Sequence, residues 1–164
     1  MHILSMPSDQ GLVMALGQLV IAHTQLELIL RYTVKTVSGC SVSEALDATS
    51  QDRMPYLRER IKQLFKEHKA TPTEKVRLDA LLTRARCLTE KRNNYLHSVW
   101  SSTPEGQALM KGQDHSWGPA PTKEEVQTVT TDLLALYKEL NDARLDDGFI
   151  AQVASRPTQT PTGP

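Results

Sequence analysis

An arginine and a histidine stand with four residues between them in the stretch Arg92-Asn93-Asn94-Tyr95-Leu96-His97. A guanidinium is always charged and offers a planar fork of donors to a phosphate. An imidazole is the side chain that exchanges a proton near neutral pH. Together these two groups are the minimum set for cleaving a phosphodiester without a metal. No other stretch of the chain offers a site of comparable quality. His23, His68, His97 and His115, taken with Cys87, match no metal-ligand spacing, so neither a metal nor a cofactor is expected. Ser98 is a neighbour of His97 in sequence only, which does not make a catalytic pair.

Two further polar residues interrupt apolar patterns. The seven-residue series Val13, Val20, Glu27, Val34 and Leu16, His23, Leu30, Val37 form one apolar band, broken by His23 and Glu27 one turn apart. A carboxylate in a buried band needs a cation or hydrogen-bond donors. Arg92 breaks a stripe between Leu88 and Leu96 in the same way, so an Arg92–Glu27 pair is expected, either purely structural or part of a site. His97 lies about 140° around and about 7.5 Å along an ideal helix from Arg92. Either the long arginine side chain curls toward the helix end, or a second copy of the chain brings its own motif alongside across a two-fold axis.

Four helices must position these groups. Residues 8–38 read as the first, with Ser8 or Asp9 as cap and Gly39 as terminator, followed by a short turn over Ser43–Ala48. Residues 51–69 form the second, with Leu57, Ile61, Leu64 and Phe65 on one face. The third, capped by Thr71 or Thr73, runs to about Trp100 on a stripe of Leu78, Leu81, Leu82, Ala85, Leu88, Leu96 and Val99. Residues 101–121 are rich in Gly and Pro and read as a loop, with a short hairpin around Ala108–Met110 and His115–Trp117. Trp100 and Trp117 flank it and read as local core. Thr122 with Glu125 is a capping box that opens the fourth helix, to about Leu145, packed by Val126, Val129, Leu133, Leu136, Tyr137 and Leu140. The fold class is therefore all-α: an up-down four-helix bundle with a short loop or hairpin insertion between the third and fourth helices. Residues 1–150 form one domain, and 151–164 read as a disordered Pro/Thr-rich tail.

Formal net charge is zero, yet residues 51–92 carry twelve Lys/Arg against six Asp/Glu, and residues 101–164 carry five against nine. Such asymmetry either focuses a field at one cleft or marks ordinary solvated helix faces. Two cysteines, Cys40 and Cys87, give no disulfide framework. The N-terminus lacks a basic segment ahead of an apolar run, and Leu12–Val37 holds His23, Glu27, Arg31 and Lys35, too polar to span a bilayer. The expectation is a cytoplasmic protein with no membrane association.

With these residues in view, the chain resembles the HEPN superfamily, small helical bundles whose signature is Arg, a polar residue, a few variable residues and His near the end of a long helix. Here that is Arg92 to His97, and Gly17 to Glu27 is similar to the first helix of many members, where an acid often faces the motif. The resemblance covers roughly residues 10–145. It implies a metal-independent endoribonuclease, commonly a homodimer with two motifs in one cleft, acting on RNA as a toxin, in phage defence or in RNA processing, in some cases with an antitoxin or other partner protein. It implies that His97 is general acid or base, that Arg92 holds the scissile phosphate, and that Asn93 and Glu27 support them. Asn94, Tyr95, His23 and Trp100 would line the cleft, and the product would be a 2′,3′-cyclic phosphate. The toxins paired with small nucleotidyltransferases carry Tyr two residues after the His; this chain has Val99 there. Some members lack nuclease activity, so a dimerisation or binding module for a partner protein or a nucleotide is the alternative, which zero net charge favours.

Overall fold

The computed structural model describes residues 3–4, 7–112 and 115–158. The chain is mostly helical. In order the elements are β1 (Ile3–Leu4), α1 (Gln10–Ser38), α2 (Val42–Ala48), α3 (Met54–Glu67), α4 (Pro72–His97), β2 (Val99–Ser102), β3 (Ala108–Lys111), β4 (Trp117–Pro119), α5 (Lys123–Arg144) and α6 (Phe149–Ala154).

Local chemistry sets most helix ends. Asp9 Oδ1 accepts from the Gly11 and Leu12 amides at 2.7 and 3.2 Å, so α1 begins just after it. Gly39 takes φ +70° while its amide closes onto the Lys35 carbonyl, a conformation that glycine adopts without strain. Ser41 with Glu44, Thr71 with Glu74 and Thr122 with Glu125 each form a reciprocal capping box at the starts of α2, α4 and α5. Pro55 sits in the first turn of α3, where its missing amide costs nothing.

The chain divides into two compact units. The first comprises Met1–Thr24 and Cys87–Leu133, and the second Gln25–Arg86 and Leu134–Pro164. The first unit contains the sheet, antiparallel throughout, in the order β1-β2-β3-β4. Its buried residues include Leu12, Leu19, Leu88, Val126, Leu133 and Ser101. In the second unit Leu57, Ile61 and Phe65 of α3 and Leu136 and Leu140 of α5 are buried, as their spacing predicts. There the Phe65 and Phe149 rings meet edge to face, with centroids 6.2 Å apart.

The all-α class holds coarsely, with a small sheet added, and three other sequence expectations are corrected. Helix α4 stops at His97, short of Trp100, and Val99–Ser102 is a strand. Val99 and Trp100 are β-formers that β3 pairs with, and Val99 is 45% exposed instead of closing the helix stripe. The hairpin expected at 108–117 is present as β3 and β4. The core face of α1 runs through Leu12, Ala15, Leu19, Ala22, Leu26, Ile29 and Thr33, and it includes His23, Leu30, Val34 and Val37 of the seven-residue band; Val20 of that band is instead 37% exposed. The segment 151–158, expected as disordered tail, includes the end of α6, where Phe149, Ile150 and Val153 are buried. The remainder of that expected tail, 159–164, lies outside the described residues.

Helix α6 is held at both ends. Gly148 precedes it so closely packed that a β-carbon there would run into the carbonyl oxygens of Asp142 and Ala143. Beyond it, Arg156 makes a two-pronged bond to Glu74, at 2.6 and 2.8 Å, and its carbonyl accepts from His68 Nδ1 at 2.8 Å. By length and composition α1 could cross a membrane, a test that core helices also pass; its residues Leu19, Leu26 and Leu30 are fully buried within the protein.

Candidate functional site

The motif residues lie in the first unit. Arg92 and His97 are both within α4, so the helix itself sets their separation: about 140° around the axis. Asn93, between them, is about 100° around from Arg92 and so about 40° short of His97. The Arg92 Nη1 donates to Asn93 Oδ1 at 2.9 Å. This bond draws the guanidinium around the helix toward the His97 side. Arg92 Nε is buried and has no acceptor among the described residues. Arg144 Nε shares this state, so it does not by itself mark Arg92 as functional.

His97 is the last residue of α4, and its side chain is exposed. Two contacts tie down the helix end. Ser98 Oγ donates to the Asn94 carbonyl, and Trp100 Nε1 donates to the Tyr95 carbonyl at 2.9 Å. Both satisfy helix-end carbonyls that would otherwise lack partners. The imidazole is thus exposed on a junction whose backbone is fixed from both sides. Asn94, Tyr95 and Trp100 were expected to line a cleft; each is half-buried, and Asn94 and Tyr95 offer their carbonyls to that junction. The Tyr95 hydroxyl is pushed above its ordinary pKa, chiefly by burial and secondarily by the charge of Glu125.

Of the helix-one residues, His23 is buried and shares a hydrogen bond with Thr89 Oγ1 at 3.2 Å. Thr89 is one turn before Arg92 on α4, so His23 adjoins the motif helix. The sequence reading overlooked Thr89, although its three-residue spacing from Arg92 was there to be read. Glu27 lies in the second unit. Its carboxylate accepts from Arg31 Nη2 at 2.7 Å, one turn on along α1, while Arg31 also bonds the carbonyls of Thr49 and Asp52. Within the first unit, Asn93 is the group that Arg92 bonds.

Among the described residues, no three His, Cys, Asp or Glu side chains converge as a metal site. A surface cavity of about 510 Å³ lies in the second unit, lined among others by Arg77, Arg84, Glu139, Asp142 and Phe149. Its charges are largely matched internally. Arg84 pairs with Glu139, Asp142 with Lys138, and the Arg77 guanidinium lies 4.3 Å over the Phe149 ring. Its lining includes the carboxylates of Glu139, Asp142 and Asp147 but no histidine. No family model, curated protein or solved structure matches the chain.

Proposed function

We propose that the protein is a metal-independent endoribonuclease of HEPN type, built on an up-down helical bundle and active as a homodimer. The observation that carries this reading is the Arg92–Asn93 hydrogen bond, which turns the guanidinium toward the face of α4 that bears the exposed His97. In this mechanism His97 removes the proton of a ribose 2′-hydroxyl, or gives one to the departing 5′-oxygen. The 2′-oxygen attacks phosphorus, the bond to the 5′-oxygen breaks, and the products are a 2′,3′-cyclic phosphate and a 5′-hydroxyl. Arg92 offsets the negative charge that builds on the phosphate oxygens in the transition state. A single imidazole serves one proton transfer at a time. A second copy of α4 facing the first would supply the other, and this is the reason to expect a dimer. Toxin, defence and RNA-processing roles are the settings that the resemblance suggests, with an antitoxin or other partner protein in some of them.

The test is cleavage of mixed cellular RNA in EDTA by the wild type, His97→Ala and Arg92→Ala, with fragment ends analysed for cyclic phosphate. Loss of about 10²- to 10⁴-fold is expected for His97→Ala, and a comparable loss for Arg92→Ala. A folded wild type that leaves RNA intact would move the assignment to a binding module. Equal cleavage by all three proteins would reject the roles given to Arg92 and His97.

A further inference from the structure

The sheet continues the motif helix directly. Val99, two residues past His97, opens β2, and the register sets it opposite Lys111 of β3, which in turn stands opposite Trp117 of β4. Directly opposed residues of antiparallel strands point to the same face. Val99, Lys111 and Trp117 therefore form one row across three strands, on one face, starting two residues along the chain from His97. Val99 is 45% exposed, and Lys111 and Trp117 are each partly exposed. Two residues further along β2 on that same face, Ser101 is buried. The face is thus covered at the Ser101 end and open at the end next to His97.

The chemistry of the row is that of a single-strand platform: an aliphatic floor, a cation and an indole. Bases stack on aromatic side chains regardless of sequence, and lysine meets the phosphates between them. Strands lie about 4.8 Å apart, so the row runs about 10 Å from Val99 to Trp117. At about 3.4 Å per stacked nucleotide this spans about three steps, fewer for an extended strand. A row meant only as core has no need of a half-exposed lysine between its apolar members. Trp100 lies on the opposite face of the sheet, so it is not part of this row.

We propose that Val99, Lys111 and Trp117 form a nucleotide subsite continuing from Arg92 and His97, in which Trp117 stacks an unpaired base and Lys111 meets the adjoining phosphate of single-stranded RNA. The inference rests on the ribonuclease reading for its substrate and goes beyond it in naming the strand's path and its single-stranded state.

The experiment measures binding of a labelled single-stranded oligonucleotide, 2′-O-methylated so that it cannot be cleaved, by fluorescence anisotropy across a salt series. Cleavage of the unmodified strand is followed in parallel. The proteins are the wild type, Trp117→Ala, Trp117→Phe and Lys111→Met, each checked for its thermal transition. Trp117→Ala is expected to weaken binding by roughly 5- to 150-fold. Trp117→Phe, which keeps a ring and protects against a folding defect in the alanine variant, is expected to fall between it and the wild type. Lys111→Met is expected to lower the slope of log K against log salt by about 0.7. A fully paired hairpin of the same sequence is expected to compete poorly. Wild-type affinity and salt slope in folded Trp117→Phe and Lys111→Met would overturn the subsite, even with cleavage intact. Trp117-dependent binding without any wild-type cleavage would keep the subsite and overturn the nuclease reading. No binding of the single strand at all would overturn both.

Discussion

Asn93 is the residue on which the candidate site turns. Arginine carries five donors on a long flexible stem, and a free guanidinium in this position would sample many directions. The bond from Arg92 Nη1 to Asn93 Oδ1 selects the direction that leads toward His97. Asn93→Ala is therefore expected to slow RNA cleavage at saturating substrate while leaving the thermal transition nearly unchanged. Asn93→Asp, which keeps the acceptor oxygen, is expected to recover part of the rate. Single-turnover rates beside melting curves check this; a fall in melting temperature that accounts for the lost activity would assign Asn93 to stability instead. Arg92 was readable in the sequence as an inward-facing charge, but the neighbouring amide it bonds was not, because a residue one position on does not share its helix face. The Arg31 bond to Glu27 follows the four-residue spacing that the sequence displays.

Helices were more legible than their ends and phases. Helix α5 follows its pattern closely: a capping box at Thr122 and Glu125, then burial of Val126, Val129, Leu133, Leu136 and Leu140. Helix α1 was phased correctly in its second half, where His23, Leu30, Val34 and Val37 are buried, but in its first half a strict seven-residue count favours Val20 while the buried face follows Leu19. Leu19→Ala is expected to cost about 2–5 kcal/mol, and Val20→Ser to change stability by less than about 0.5 kcal/mol. Urea midpoints distinguish the two, and a reversed order would restore the original phase. The end of α4 was misplaced for another reason. Val99 and Trp100 continue an apolar pattern that suits a helix, and only pairing with β3, the next strand of a hairpin, makes them a strand. Neither the subsite row nor the helix-end bonds of Ser98 and Trp100 could be read before that pairing was known.

At the scale of the whole molecule, acid sensitivity should centre on the second unit. Glu74 is held at a pKa of about 2, first by its hydrogen bonds from Arg156, with burial opposing and Thr71 assisting. A carboxylate whose folded value lies below its unfolded value stabilises the fold above the unfolded value, and that stability is lost as pH falls toward the folded value. The contribution should thus be complete above pH about 4.5 and lost between there and about 2. Arg156→Ala is expected to be less stable at neutral pH and to show a flatter decline across that acid window. Urea titrations from pH 7 to 2 measure both, and parallel curves for variant and wild type would remove Glu74 as the cause. The Glu74–Arg156 clasp also has a mechanical meaning. A load applied from the C-terminal side would reach Arg156 before α6, and the two parallel bonds to Glu74 would share the first of the strain. Once they part, the six-residue helix would peel away from its apolar seat turn by turn. The strength of this end under traction is thus set by the ion pair together with the His68 bond to the Arg156 carbonyl, far along the chain from the residues given the candidate chemistry.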